Sequence, residues 1–174
     1  VFLWDENGFW ARRLDADRTL RGGDISVGDA MYSSDVALLP HGGFVVVGFN
    51  GPGGTNARLF TADGQPRGPS FATSAAFGGL RVAADPRGGF VVIGVRREPV
   101  TQAYQVAYRR FAEDAAPLDD DVIVVTAVTP DIIIDPDVAV DEHGNAYVVW
   151  TEYGGPPAPV RARAFDVDGK SFDE

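Results

Sequence analysis

Residues 35–49 read DVALLPHGGFVVVGF. The pattern returns as RVAADPRGGFVVIGV over residues 81–95 and as DVAVDEHGNAYVVWT over residues 137–151. A second motif follows each copy, and it also occurs once before the first of them. Its four copies are ARRLDADR at residues 11–18, ARLFTADG at 57–64, YRRFAEDA at 108–115 and ARAFDVDG at 162–169. Because the two motifs keep a constant order along the chain, they define an internal repeat.

Each repeat predicts four β-strands. In the copy at residues 35–80, the first strand alternates over residues 36–39, and a glycine turn leads to a second strand over residues 44–49. That second strand is apolar on both faces, which predicts a central place in its sheet. A third strand over residues 57–61 and a fourth near residues 70–73 follow, joined by a turn of the D-G type that suits hairpins. No part of the chain has a helical period.

A tandem four-stranded antiparallel unit of about 45–55 residues is typical of a β-propeller blade. One such sheet cannot bury both faces alone, so consecutive blades stabilise one another by stacking. We therefore predict one all-β domain over residues 1–174, a β-propeller of about four tandem blades of which the first and last are incomplete. Further blades of the same chain, or other protein subunits, are expected to complete the ring and protect its open edges. The predicted units are residues 1–34, 35–80, 81–136 and 137–174.

Composition excludes several classes of partner. The formal net charge of −10 repels phosphate backbones and anionic lipid headgroups, which argues against nucleic acid and membrane surfaces. No apolar run is long enough to span a bilayer. The chain has no cysteine, so disulfides, thiolate metal sites and a cysteine nucleophile are excluded. It starts without a methionine, inside the apolar run VFLW, which suggests a removed leader or a longer parent chain.

GGFVVV at residues 42–47 and ARAFDVDG at residues 162–169 resemble a tandem repeat of large bacterial secreted and cell-surface proteins. The resemblance covers nearly the whole chain, and such repeats are taken to fold as β-propellers. It implies an extracytoplasmic location and a scaffold or adhesive role, and it supplies no catalytic residues. The third unit departs from the pattern, because AEDA at residues 112–115 lacks the turn glycine.

These features favour a non-catalytic protein-interaction or scaffold module rather than an enzyme. One alternative is a lectin-like propeller that binds glycans through loop aromatics, and another is a hydrolase or lyase with a site in the central channel. His41 and His143 occupy equivalent positions beside a turn glycine, which is typical of exposed turn residues. No nucleophile elbow of the G-x-S-x-G type is present, so we predict no catalytic residue.

Aromatic residues provide the candidate ligand site. Trp4 and Trp150 take equivalent repeat positions at the end of the second strand, where the other copies have Gly48 and Gly94. Exposed tryptophans beside polar loops can stack on sugar rings or anchor a protein. Filling of space between blades is the simpler interpretation of both. The candidate ligand-binding residues are Trp4, Asn50, Thr55, Asn56, Trp150 and Tyr153.

An apolar run and two acidic clusters complete the candidates. Ile132, Ile133 and Ile134 are predicted to pack against a neighbouring blade or a partner subunit. The carboxylates at residues 119–121 and 131–142 match no known calcium loop, although a single structural calcium is an alternative. We therefore predict no metal site and no cofactor.

Overall fold

The repeated glycine turn has one backbone geometry in all three copies. The computed structural model describes residues 1–6, 8–28, 32–51, 54–74, 78–127 and 132–172. In each copy the amide of the turn glycine, Gly42, Gly88 or Gly144, donates to the carbonyl oxygen three residues earlier over 2.9–3.1 Å. All three glycines have positive φ angles. The repeat seen in the sequence is therefore a structural repeat.

The described residues form fourteen β-strands in four antiparallel sheets. The first sheet contains β1 (Phe2–Asp5), β2 (Phe9–Leu14) and β3 (Leu20–Gly28). The second contains β4 (Tyr32–Leu38), β5 (Phe44–Phe49), β6 (Thr55–Phe60) and β7 (Phe71–Ser74). The third contains β8 (Gly78–Ala84), β9 (Phe90–Arg97), β10 (Tyr104–Phe111) and β11 (Val122–Thr126). The fourth contains β12 (Ile132–Val140), β13 (Ala146–Tyr153) and β14 (Val160–Phe165).

Within each sheet the strands lie in chain order, and the first strands of the second, third and fourth sheets, β4, β8 and β12, lie side by side. Between β4 and β8 the contact is made by side chains: Ser33 Oγ accepts the amide of Leu80 at 3.1 Å, and Asp35 Oδ2 accepts the amide of Val82 at 3.0 Å. Sheets stacked in this way around an axis form a β-propeller, which confirms the predicted fold class. The four sheets are its blades, and they do not close into a ring.

Three apolar layers hold the blades together, one between each successive pair. The second strands contribute to every layer, and β5 is buried along nearly its whole length because it faces a blade on either side. Aromatic rings pack within every layer. The ring pairs are Phe44 with Phe60 at 4.8 Å, Phe90 with Phe111 at 5.1 Å, and Tyr108 with Phe165 at 5.3 Å.

The blades begin earlier than the repeat motif suggests. The innermost strands start at Tyr32, Gly78 and Ile132, several residues before each V-A motif. Their first residues continue the pairing with the second strand after a bulge. The run of three isoleucines therefore opens the fourth blade, whereas the sequence analysis assigned it to the end of the third unit. Among the described residues there is no helix long and apolar enough to cross a membrane.

The outer hairpin turn of the third blade forms without its glycine. Ala115 takes a φ of 72°, and its amide donates to Ala112 O at 3.0 Å. Gly64 and Gly169 make the same bond at the same position, over 2.9 Å in each case. A second backbone hydrogen bond, from the Ala112 amide to Ala116 O at 2.8 Å, closes the same turn. The two bonds hold an alanine in the left-handed region, where a Cβ is unfavourable.

Replacing Ala115 by glycine is therefore expected to raise the free energy of unfolding by about 1 kcal/mol, because glycine adopts this φ without strain. Urea unfolding of the two proteins measures the difference. Ala116→Gly next to it is the control, since Ala116 has no positive φ and a glycine there only adds chain entropy to the unfolded state. Equal or opposite shifts for the two variants would contradict the expectation.

Candidate carbohydrate-binding surface

Two tryptophans lie side by side on the outer face of the first blade. Trp4 on β1 and Trp10 on β2 are directly paired in the antiparallel register. Their side chains share one face because opposite residues of paired strands point the same way. Both are half-buried. Phe2, two residues before Trp4, extends this face, with its ring 5.5 Å from that of Trp4.

Polar groups surround the two indoles. The Arg12 guanidinium lies 5.5 Å from the Trp4 ring centroid and forms an ion pair with Asp24. The Trp10 indole Nε1 donates to the carbonyl oxygen of Glu6 at 3.1 Å. An open cleft of about 280 Å³ lies between these groups. We name it the tryptophan cleft, lined by Trp4, Glu6, Trp10 and Asp24.

Trp150, the repeat equivalent of Trp4, is buried, whereas Trp4 is partly exposed. Trp150 is only 4% exposed and packs in the apolar layer between the third and fourth blades. Its Nε1 donates to Glu152 Oε1 at 3.3 Å. The third blade covers this face of β13, so no face of the Trp150 ring is open to a ligand. Trp150 therefore fills space between blades, which the sequence analysis gave as the simpler interpretation, and its ring is not available as the ligand-binding residue that the same analysis named.

The polar candidates lie between the first and second blades. Asn50 and Asn56 are joined by a hydrogen bond of 3.2 Å from Asn56 Nδ2 to Asn50 Oδ1, and both line a cleft of about 310 Å³ with Arg58 and Ser70. Thr55 is 1% exposed and lies inside the second blade. This cleft is on the opposite side of the first blade from Trp4, so the structure does not bring these candidates together with the tryptophans.

The remaining candidates lie on the fourth blade. Tyr153 is 54% exposed and pairs with Ile132 across β12 and β13. Ile133 is buried in the layer shared with the third blade, while Ile132 and Ile134 point to the other face and are 36% and 37% exposed. One of the three isoleucines thus packs against a neighbouring blade, and contact of the other two with a partner stays a prediction.

Charged residues line the inner strands at one repeat position. Asp35, Arg81 and Asp137 stand at equivalent places on β4, β8 and β12. Both Asp35 oxygens accept backbone amides, from Val36 at 2.8 Å and from Val82 at 3.0 Å. These bonds give Asp35 a structural task at the boundary between two blades.

Other ionisable groups have similar structural contacts. His41 Nδ1 lies 2.7 Å from Glu113 Oε2, which joins the turns of the second and third blades. Burial between the third and fourth blades raises the pKa of Tyr108 to about 12. In the part of the chain that the structure describes, no three His, Asp or Glu side chains are grouped closely enough to hold a metal ion. Asp131, one of the acidic residues of the sequence analysis, lies outside that part.

The fold is similar to that of a solved GH43 endo-arabinanase from Bacillus licheniformis, with a TM-score of 0.49 and 11% sequence identity. The match covers 94% of this chain and 66% of the arabinanase, so the chain spans just under two thirds of that protein's length. No protein-family model and no curated protein matches the chain.

The comparison overturns two expectations of the sequence analysis. We expected a non-catalytic scaffold module and predicted that the chain is not an enzyme, but the propeller it matches is a glycoside hydrolase. Neither expectation is carried forward. The likeness is one of fold alone.

Proposed function

We propose that this chain binds carbohydrate in the tryptophan cleft. The observation that carries the proposal is the pairing of Trp4 and Trp10 on one exposed face, with Asp24, Glu6 and Arg12 at its margin. A binding site of this kind combines apolar aromatic surface with a few polar groups that fix orientation. This is the lectin-like alternative of the sequence analysis, with Trp10 in the place of Trp150.

The chemistry of the cleft matches that of a sugar ring. The C–H face of a pyranose or furanose is apolar and can lie on an indole, while its hydroxyl groups need hydrogen-bond partners at the edge of the ring. Carboxylate oxygens of Glu6 and Asp24 can accept from those hydroxyls, and the Arg12 guanidinium can donate to them. Two adjacent indoles offer room for two successive sugar units, which favours an oligosaccharide over a single sugar.

Another blade or a partner subunit could compete with a sugar for the face that carries the tryptophan cleft. Trp4 has the repeat position at which Trp150 is covered by the preceding blade. A blade or subunit packed on the first sheet would therefore cover Trp4 and Trp10 and exclude a ligand. If the first sheet is uncovered, solvent reaches the indoles of Trp4 and Trp10. If a blade or subunit packs on it, solvent does not reach them.

The test is calorimetric titration with a panel of soluble polysaccharides and their oligosaccharides. Trp4→Ala and Trp10→Ala are each expected to weaken binding at least tenfold, because aromatic contacts of this size contribute about 1 kcal/mol or more beyond burial alone. Tyr153→Ala, an exposed aromatic on the fourth blade, is the matched control and should bind as the unchanged protein does. Reducing ends are assayed in the same samples, so that cleavage of a bound glycan is also detected.

Fluorescence gives a second readout, because the chain has only three tryptophans. Acrylamide should quench Trp4 and Trp10 but not Trp150, and a bound oligosaccharide should protect the first two. The proposal fails if no saccharide binds, or if acrylamide quenches none of the three indoles in the folded protein.

A further inference from the structure

A second cleft lies between the first and second blades and is lined by two arginines, one from each blade. Its volume is about 510 Å³, and it runs between β3 on one side and the turn after β6 on the other. Arg13 comes from β2 of the first blade and Arg58 from β6 of the second. We name it the arginine cleft. Its other lining residues include Asp24, Ser26, Asp63 and Gln65.

Both guanidinium groups have unused hydrogen-bonding capacity. Arg58 donates from Nη1 to Val27 O at 3.0 Å, and Arg13 donates from Nη1 to Ala62 O. The Nε of each is buried and, within the described ranges, has no hydrogen-bond acceptor. Neither arginine forms an ion pair with any described carboxylate. Buried donors of this kind are costly to leave unpaired.

The third blade shows what such an arginine binds. Arg110 has the repeat position of Arg13, and its Nε donates to Asp119 Oδ2 at 2.5 Å. The Arg110 amide also donates to Asp119 Oδ1 at 3.0 Å. In the first blade the residue at the position of Asp119 is Gly22. A Cβ built on Gly22 would lie 3.0 Å from Arg13 Nη2, so a side chain at that position would reach the guanidinium.

The first blade therefore has the arginine of this pair but not its carboxylate. We infer that the arginine cleft binds the carboxylate group of an acidic ligand, which takes the place that Asp119 has in the third blade. A guanidinium fork suits a planar carboxylate, because two parallel N–H bonds match its two oxygens. Asp24 lines both clefts, but the inference rests on Arg13 and Arg58, and Arg13 lies on the opposite face of the first sheet from the two tryptophans.

The carboxylates already present do not fill this role. Asp24 lines the cleft but is bound by Arg12. Asp63 lines it as well and is exposed, with no ion pair to Arg13 or Arg58. Since the whole chain carries a net charge of −10, a bound anion depends on these two arginines rather than on the general surface potential.

The probe is D-galacturonate, with D-galactose as the neutral sugar of the same shape and inorganic phosphate as a second anion. The readout is the ¹H–¹⁵N spectrum of the arginine Nε–H groups. We expect galacturonate to shift the Arg13 and Arg58 signals in a saturable way while galactose leaves them unchanged. The inference is overturned if neither signal moves, or if phosphate binds tenfold more tightly than galacturonate.

Gly22 provides a matched pair of variants. Gly22→Asp places a carboxylate next to Arg13, as in the third blade, and should weaken galacturonate binding at least tenfold. Gly22→Asn places a side chain of the same size there without the charge, so it should weaken galacturonate binding clearly less than Gly22→Asp does. Both residues tolerate the φ of 74° at this position better than other side chains. Equal losses in the two variants would show a steric effect and contradict the inference.

Thermal unfolding of both variants confirms that they fold. Oligosaccharide binding in the tryptophan cleft is measured on the same samples and should not change in Gly22→Asp. A loss of galacturonate binding with the tryptophan cleft intact supports the arginine cleft alone. The two sites can therefore fail separately.

Discussion

Gly43→Ala is expected to lower the free energy of unfolding by more than about 3 kcal/mol, at the severe end of single substitutions. A Cβ at this position would lie 2.2 Å from the carbonyl oxygen of Phe60, which belongs to the neighbouring strand of the same blade. The φ of 88° adds the strain of a left-handed residue. Because the contact is with backbone, a change of side-chain rotamer cannot relieve it.

Gly89 repeats this geometry in the third blade, where its Cβ would lie 2.2 Å from Phe111 O. Gly89→Ala should therefore be as damaging as Gly43→Ala. Gly51→Ala is the control, since Gly51 has a φ of 69° but no heavy atom of the described residues within 4 Å of its Cβ position. Gly51→Ala should lower the free energy of unfolding by only about 1 kcal/mol, because backbone strain is its only cost. Urea unfolding followed by far-ultraviolet circular dichroism compares the three, and equal costs would show that the close backbone approach is unimportant.

Trp150→Ala has the second largest expected effect, a loss of about 3–5 kcal/mol in the free energy of unfolding. Removal of a large buried aromatic loses its transfer free energy and leaves a cavity. Trp150 packs between the third and fourth blades with Ile133, Val148 and Phe165. The fourth blade should then separate from the third more readily than before.

Trp4→Ala is the matched comparison, because Trp4 has the same repeat position on a face that no described blade covers. We expect it to cost about 1 kcal/mol, the value for a partly exposed side chain that loses limited burial. The difference between the two variants, measured by thermal and urea unfolding, reports what stacking of one blade on another contributes. Similar costs would mean that Trp4 is also covered in the folded protein.

Much of the fold follows from the sequence because its signals are local. The second strand was predicted at residues 44–49, and the structure has β5 at Phe44–Phe49. The prediction succeeds because a short continuous apolar run between two turns is typical of a buried strand. The first strands were predicted too short. Residues such as Ser33 have no alternating pattern, and they join the sheet through a bulge and through contacts with the next blade.

The candidate sites were harder to predict, because they depend on register and on which face a neighbour covers. Trp10 was missed since only the pairing of β1 with β2 places it beside Trp4. Trp150 was left between two interpretations, since its repeat position does not show whether another blade lies over it. The sequence does contain a signal for the arginine cleft, because Gly22 aligns with Asp119. Its importance could be recognised only from the structure, which shows the ion pair between Arg110 and Asp119.

The side-chain bonds between β4 and β8 bear on how such a protein can change length. The innermost strands of the second and third blades meet through Ser33 and Asp35, each of which accepts a single amide of the next strand, and not through a shared backbone ladder. A backbone ladder would fix the strand register across the whole ring. Separate side-chain hydrogen bonds require only that each new unit place one or two backbone amides within reach. Gene duplication could therefore insert or delete an entire repeat without remodelling those already present.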